Sequence, residues 1–322
     1  MRKMETNLSE LKNQTYLDTM FPLGLELAYY ICGTPIAIGI CFINVVMLYI
    51  INRKKVPMKN AVRILVCSLG TNDIVAGCLL LIHIATLGFQ GKVNEKKCLF
   101  FALLCIWPML NNFLHIAMIK WERHSMVISS GDSVGLRKSA AFVMGMWIYS
   151  LALSLLGLSF EISRQSDNEE LYEELCDVAV LPKYHLVIIA IHLVICIGIT
   201  SLYFIKIRNV LKVHQRKIQV TNTITYTNLV DDINMANTFM AAGVVCIALW
   251  LPCLIAMAVY ISGHDRACAV VTMRALYLLT TLTGFKPLLY MWRWPSVTKE
   301  VINLFGCKKV EMRRTPSHTC YT

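Results

Sequence analysis

The chain has 322 residues, of which 56% are hydrophobic and only 16% are charged, and its mean hydropathy is +0.56. Soluble globular domains are about 45–50% apolar and about 25% charged, so the composition favours one membrane bundle over two soluble domains. It also excludes a disordered chain, a coiled coil and a collagen-like fibre. The formal net charge of +11 does not indicate a nucleic-acid partner, because the positive charges are sorted by membrane side.

Seven apolar stretches along the chain are long enough to cross a bilayer, which takes roughly 20 mainly apolar residues in a helix. They cover about residues 23–51, 60–88, 98–120, 139–160, 184–207, 238–261 and 269–291. We therefore predict an all-α membrane protein, a seven-transmembrane helix bundle with a short amphipathic eighth helix. The predicted parts are an extracellular segment at 1–22, the bundle at 23–292, and helix 8 with a cytoplasmic tail at 293–322.

The distribution of lysine and arginine predicts which side of the membrane each connecting segment faces. With the N-terminus outside, the inner segments hold 19 Lys and Arg residues and the outer segments hold 10. Two glycosylation sequons, at Asn7 and Asn13, lie in the segment that this orientation places outside. We expect a multi-pass protein of the plasma membrane, surrounded by the lipid bilayer, with its C-terminus in the cytoplasm and no cleaved signal peptide.

Most of the 13 cysteines lie inside the apolar stretches, where we expect them to be small buried hydrophobic residues. Cys98 and Cys176 fall in outer regions, where an oxidising environment permits a disulfide between them. Cys268 is a third outer cysteine, so the pairing stays open. Cys307 follows the amphipathic stretch after the seventh span and is a candidate for palmitoylation.

Short motifs occur in chain order, each in a separate span or at its boundary. They are Asn44 preceded by Ile43, Leu69-Gly70-Thr71-Asn72-Asp73, Glu122-Arg123-His124, Trp147, Tyr203, Trp250-Leu251-Pro252 and Lys286-Pro287-Leu288-Leu289-Tyr290. Each motif alone occurs by chance, but seven in order form a specific signal. With Cys98 also 25 residues before Arg123, the chain resembles the rhodopsin-like (class A) G-protein-coupled receptors over residues 23–307.

The resemblance implies a switch at the inner face of the bundle. Arg123 stands beside Glu122, and Asp232 lies 20 residues before Pro252 on the inner extension of span six. Arg123 is expected to bridge both carboxylates and hold the inner face closed. Opening would expose a groove for a heterotrimeric G protein. The alternative interpretation is that these are ordinary charges near the lipid headgroups.

Further residues of the resemblance belong to the same switch. Pro252 removes a backbone hydrogen bond and should kink span six, and Trp250 is expected to plug the floor of a ligand pocket. Tyr203 and Tyr290, the latter three residues after Pro287, are expected to turn inward and bond around Arg123 in the open form. The alternatives are a merely packed kink and tyrosines that anchor at the membrane interface.

Lys286 departs from the family, which has asparagine at this position. Receptors of this family often hold a sodium ion near the residue that matches Asp73, and a lysine ammonium would supply that cation covalently. We therefore predict an Asp73–Lys286 salt bridge in place of sodium, with Asn44, Asn112 and Thr283 as polar neighbours at the centre of the bundle. The alternative is that Lys286 extends to the inner interface.

Two ligand classes are disfavoured by single positions. Receptors for monoamines have an aspartate where this chain has Cys105, and opsins have a retinal-binding lysine where it has Thr280. The acidic second outer loop favours a basic peptide or cationic molecule by electrostatic steering, although most charge runs are only solvated surfaces. The candidate ligand pocket comprises Cys105, Met109, His185, His192 and Trp250. Packed, hydrogen-bonded histidines are the alternative for His185 and His192.

The sequence thus predicts a receptor that transmits the binding of an extracellular ligand, a peptide or small molecule, to a heterotrimeric G protein. A non-signalling or scavenger receptor is the alternative, because Lys286 alters the span-seven motif and because Ile195 and Cys246 replace a family proline and phenylalanine. A membrane transporter or a membrane enzyme is a remote alternative, and no catalytic motif occurs that would support an enzyme. We expect no cofactor, no metal and no catalytic residue.

Overall fold

Helices make up nearly all of the chain that the computed structural model describes, and no strand occurs within that part. The described residues are 30–53, 56, 58–90, 95–128, 135–164, 183–218, 237, 238, 240–252, 255, 258 and 281–306. This all-helical architecture is the one that the apolar stretches predict.

The helices are numbered in chain order, and each lies in one predicted span or in the amphipathic segment. They are α1 (Tyr30–Asn52), α2 (Asn60–Gln90), α3 (Glu95–Ile128), α4 (Leu136–Arg164), α5 (Lys183–Ile218), α6 (Met240–Pro252), α7 (Lys286–Arg293) and α8 (Pro295–Leu304). A single 3-10 turn, Leu282–Phe285, leads directly into α7.

Several of these helices have the length and hydropathy that a membrane crossing needs. Among the described residues, Tyr30–Asn52, Asn60–Ala85 and Leu136–Leu156 qualify as full spans, and Val187–Tyr203 and Met240–Pro252 are shorter apolar helices. Large apolar side chains on α1, α4 and α5 point outward, among them Phe42, Ile148 and Val194. A surface of this kind requires an apolar surrounding, which the bilayer provides.

Helix α3 lies at the centre of the described bundle, where it contacts α2, α4 and α5. Its inward positions carry polar residues that are fully or almost fully buried, such as Asn111, His115 and Glu122. In an apolar environment each of these groups needs a hydrogen-bond partner on a neighbouring helix. The packing of α3 is therefore fixed by polar contacts as well as by its apolar surface.

Glycine allows α1 to approach its neighbours closely. A Cβ atom at Gly77 would lie 2.6 Å from the Cys41 sulfur and 3.1 Å from the Ala37 carbonyl oxygen. A Cβ at Gly284 would lie 2.7 Å from Ile40. Both sites leave no room for a larger residue, as is common where membrane helices pack backbone to backbone.

The chain turns sharply between α7 and α8. Trp294 adopts an extended conformation, with φ −110° and ψ 100°, and its side chain is buried. Pro295 then begins α8, where its fixed φ and missing N–H suit the first turn of a helix. Val297 on α8 is fully buried, whereas Ile302, Leu304 and Phe305 are exposed. This segment is the short eighth helix that the sequence predicts.

Gly77→Ala should lower the stability of the bundle by about 1–3 kcal/mol, because the added methyl group meets the immovable Ala37 carbonyl oxygen. Gly145→Ala is the matched control, since nothing lies within 4 Å of the position of its Cβ, and alanine is the better helix former. Thermal unfolding of the two purified variants provides the measurement. Equal midpoints would contradict the close α1–α2 packing.

Candidate functional site

An ion pair lies at the centre of the bundle. The Lys286 Nζ atom is 3.0 Å from Oδ2 of Asp73 and 3.1 Å from Oδ1. The two residues are only 3% and 2% exposed, although they are 213 positions apart in the sequence. The ammonium therefore points into the bundle, where it donates a hydrogen bond to Asp73 Oδ1 and lies within ion-pair distance of Oδ2.

Asn112 of α3 completes the group by contacting both charges. Its side-chain oxygen accepts a hydrogen bond from Lys286 at 3.2 Å, and its amide nitrogen donates to Asp73 Oδ1 at 3.2 Å. The same nitrogen lies 3.4 Å from the Thr283 hydroxyl. We call Asp73, Asn112, Thr283 and Lys286 the central cluster. It joins α2, α3 and the start of α7 through side chains that satisfy one another.

The 3-10 turn before α7 places two members of the cluster on one face. Side chains three residues apart eclipse each other in a 3-10 helix, so Thr283 and Lys286 point the same way. The Lys286 N–H donates to the Thr283 carbonyl, which closes the turn. Pro287 follows at the beginning of α7, where the absence of its N–H costs little.

Asn44 supports this turn from α1. Its amide nitrogen donates to the Gly284 carbonyl and to the Ile40 carbonyl, both at 2.9 Å. Asn44 is fully buried, and it reaches the central cluster through the backbone of the turn. The five residues that the sequence analysis grouped at the bundle centre thus lie together, with Asn44 at the edge.

The central cluster does not suit the sodium ion that the family resemblance implies. The carboxylate that would bind the ion already has an ammonium at 3.0 Å and an amide donor at 3.2 Å. A second cation at this carboxylate would be repelled by Lys286 at close range in a medium of low dielectric constant. The Lys286 ammonium is the cation that neutralises Asp73 in this structure.

A second buried network lies next to the first, and the sequence analysis did not identify it as one. The Trp147 indole donates to the Ser68 hydroxyl at 2.8 Å, and that hydroxyl lies 2.7 Å from His115 Nε2. His115 Nδ1 lies 2.8 Å from the Asn111 carbonyl. The network links α2, α3 and α4. The position of His115 inside an apolar stretch could have indicated a polar network, but no sequence pattern identifies its partners on the other helices.

The contacts of this second network determine the tautomer of His115. Because the Ser68 oxygen accepts from Trp147, the Ser68 hydroxyl proton is available for His115 Nε2. The opposite ring nitrogen faces a carbonyl oxygen and must donate its proton. Nδ1 of His115 therefore carries a proton, and the side-chain amide of Asn111 continues the network to Asn72 at 2.9 Å.

Other predicted switch residues lie near the end of α3. Glu122 and Arg123 are almost completely buried, and the Tyr203 ring of α5 packs 5.3 Å from the ring of the neighbouring His124. Tyr290 is buried in an apolar core cluster that includes Ile119. The predicted partner Asp232 lies outside the described residues.

The structure describes the surroundings of three of the predicted pocket residues. Trp250 is 2% exposed and packs edge-on against Phe113 at 5.0 Å. Met109 packs against a small cluster of α1 and α2 residues. His192 of α5 bonds Tyr149 at 3.2 Å and Cys196 at 3.5 Å, the packed arrangement that was the alternative for this histidine.

The remaining candidates have no described surroundings. Pro252 is exposed on α6, and the kink of span six expected from it stays a prediction. The side chains of Cys98, Cys105 and His185 lie outside the described part, although their helices lie within it. Entirely outside it are Asn7, Asn13, Cys176 and Cys307.

Comparison with known proteins places the chain in a family. It matches the family model of the 7 transmembrane receptor (rhodopsin family) over residues 43–292, and it therefore belongs to the rhodopsin family of seven-transmembrane receptors. The crystal structure of squid rhodopsin is similar, with a TM-score of 0.69 and 11% sequence identity, over 87% of this chain and 86% of that chain. The similarity confirms the predicted seven-helix fold. No curated protein sequence matches the chain.

Lys286→Met should destabilise the protein by about 3–5 kcal/mol, because it leaves the buried Asp73 carboxylate without its cation. The double variant Asp73→Asn with Lys286→Met should recover much of this loss, since it removes both charges. Unfolding of the wild type, both single variants and the double variant measures the coupling. If the stability losses of the two single variants add up to the loss of the double variant, Asp73 and Lys286 do not form a direct ion pair.

Ser68→Ala should cost about 1–3 kcal/mol or more, because it leaves the Trp147 N–H and His115 Nε2 without their shared partner. Thr71→Ala on the same helix is the control, since the exposed Thr71 hydroxyl bonds the Cys67 carbonyl of its own helix. Thermal unfolding compares the two. A similar midpoint for both variants would show that the second network contributes no stability.

Proposed function

We propose that this protein is a plasma-membrane receptor that transmits the binding of an extracellular ligand to a heterotrimeric G protein by movement of the sixth span. Membership of the rhodopsin family supports the receptor class. The observation that carries the finer proposal is the burial of Arg123, which is 3% exposed at the end of α3. A cation buried in a membrane bundle is costly and is retained where function needs it.

The contacts of α6 suit a helix that moves against a fixed frame. The central cluster and the second network tie α2, α3, α4 and α7 together by hydrogen bonds. Trp250 of α6 makes a contact of another kind with α3, because its ring packs edge-on against Phe113. Gly243 of α6 lies against the Lys120 side chain of α3, where a Cβ would lie 2.9 Å from the lysine Cε. Packing contacts of this type can exchange without breaking the frame.

A ligand stabilises whichever position of α6 it binds better. Trp250 lies in the path between the outer half of the bundle and the inner end of α6, so a ligand that displaces its ring would shift the helix. In the open position the groove beside Arg123 accepts a helix of the G protein. The N-terminus lies outside and the C-terminus inside in this proposal, as the Lys and Arg counts predict.

The proposed ligand is a peptide or a small molecule. Cys105 stands where monoamine receptors have an acidic residue, and Thr280 stands where opsins have the retinal lysine. The Lys286 ammonium is engaged by Asp73 at 3.0 Å, so it is not available to form a Schiff base. The structural similarity to squid rhodopsin concerns the fold and does not extend to retinal.

A non-signalling or scavenger receptor is the second candidate, and one observation favours it. The lysine that replaces the family asparagine anchors α7 to α2 by a charge pair, which restrains a helix that signalling receptors of this family rearrange. Cys246, which replaces a larger family residue, is also fully packed in α6. Such a protein would bind its ligand without G-protein activation.

Nucleotide exchange on G proteins distinguishes these two candidates. Cells that express the wild-type chain, challenged with pooled peptides and small molecules, should show G-protein activation, and Arg123→Ala should abolish it. Arg137→Ala removes an exposed arginine at the start of α4 and should leave the response intact at equal surface expression. Ligand uptake without G-protein activation in the wild type would favour the scavenger candidate.

The protein should also be insensitive to sodium, because Lys286 supplies the cation of the central cluster. The thermal midpoint of the wild type should be the same in sodium chloride and in N-methylglucamine chloride of equal ionic strength. Lys286→Asn should gain a stabilisation that depends on sodium, whereas Lys138→Asn, which replaces an exposed lysine, should not. A clear sodium effect on the wild type would refute the replacement.

A further inference from the structure

A cleft of about 260 Å³ lies where the end of α1 meets α8. It combines both charge signs, an amide and apolar surface, and its lining residues are Tyr49, Ile50, Arg53, Glu300, Asn303 and Leu304. None of them belongs to the central cluster or to the α3–α6 contact. Pockets for drug-sized ligands have about 300–1,000 Å³, so the cleft suits a smaller polar group.

The cleft lies at the depth of the lipid headgroups. The apolar span of α1 ends at Asn52, one residue before Arg53, and basic residues at the end of a span extend to the headgroup region. The Arg53 guanidinium lies over the Tyr49 ring, 4.6 Å from its centroid. On α8, the exposed apolar residues Ile302 and Leu304 favour a position along the membrane surface.

An apolar stripe leads from the cleft toward the middle of the membrane. Phe42, Val45 and Tyr49 are 60%, 53% and 44% exposed, and their spacing of three and four residues places them on one face of α1. A molecule that occupies the cleft and also covers this stripe needs a polar head and a long apolar chain. This combination indicates a phospholipid and not a free phosphate compound.

The charges in the cleft indicate the headgroup. Arg53 suits a phosphate, which a guanidinium binds through two hydrogen bonds. Glu300 and Asn303 are three residues apart on α8, so they lie on one face and present oxygen acceptors to a cation. A quaternary choline group prefers the face of an aromatic ring, but Arg53 already covers Tyr49. A primary ammonium can instead donate hydrogen bonds to the carboxylate and the amide.

We propose that the α1–α8 cleft binds a phospholipid whose zwitterionic headgroup carries a primary ammonium, as in phosphatidylethanolamine. The phosphate contacts Arg53, the ammonium contacts Glu300 and Asn303, and one acyl chain lies along the stripe of Phe42, Val45 and Tyr49. The site stabilises the junction of α1 and α8 and is independent of ligand binding at the other end of the bundle.

The wild-type protein provides the first test. After purification in detergent with equal amounts of phosphatidylethanolamine and phosphatidylcholine, native mass spectrometry should show about tenfold more bound phosphatidylethanolamine, the effect of one charge-assisted hydrogen bond. Stepwise N-methylation of the phosphatidylethanolamine headgroup should lower the amount of lipid that the purified protein retains. Equal retention of both lipids, or binding of soluble phosphoethanolamine as strong as that of the lipid, would overturn the proposal.

Single substitutions test which residues bind which part of the headgroup. Arg53→Gln should lower the retention of both phospholipids, and Glu300→Gln should remove the preference for the primary ammonium. Lys299→Gln is the matched control, because this exposed lysine adjoins Glu300 in sequence and is not part of the lining. If Lys299→Gln lowers retention as much as Arg53→Gln, binding reflects surface charge alone and the assigned site is wrong.

Discussion

The buried pair of Asp73 and Lys286 is the constraint on which the rest of the bundle depends. Either charge alone in an apolar interior is costly, so α2 and α7 must remain docked with the ammonium facing the carboxylate. Asn112 bonds both charges and thereby includes α3 in the same requirement. Three helices are held in one arrangement by a group of four side chains, and the position of α7 follows from it.

Two pairs of adjacent residues connect the central cluster to the network around His115. Asn72 and Asp73 are neighbours on α2, and Asn111 and Asn112 are neighbours on α3. Successive residues of a helix point about 100° apart, so one member of each pair serves the central cluster and the other serves the network around His115. The two networks cannot shift independently, which makes α2, α3, α4 and α7 a frame, and the Trp250 ring of α6 packs against Phe113 of this frame.

Part of this arrangement was predictable, because hydropathy and the charges of single residues indicate which segments cross the membrane and which charged groups pair. Seven apolar stretches predicted the helices, and a lysine near the end of the last stretch indicated a carboxylate partner, for which Asp73 was the candidate. The partners of Asn44 were not predictable, since it bonds the backbone carbonyl of Gly284, and a carbonyl carries no sequence signal. The contacts of Ser68, His115 and Trp147 depend on how three helices rotate against one another, which hydropathy does not specify.

The ends of two helices were also not predictable from the sequence. The apolar stretches predicted ends near 120 and 207, but α3 continues to Ile128 and α5 to Ile218, because polar residues extend a helix past the hydrocarbon region without an apolar signal. The α1–α8 cleft was also hidden in the sequence. It exists because the extended Trp294 turns the chain and directs α8 back toward α1.

The separation of Asp73 and Lys286 along the chain has a consequence for biosynthesis. The carboxylate enters the membrane with the second span, more than 200 residues before its cation is synthesised. Until the ribosome delivers the final span, the nascent protein has an uncompensated acid in its interior, which must hold a proton or recruit water. A product that lacks the final span therefore leaves Asp73 without its cation.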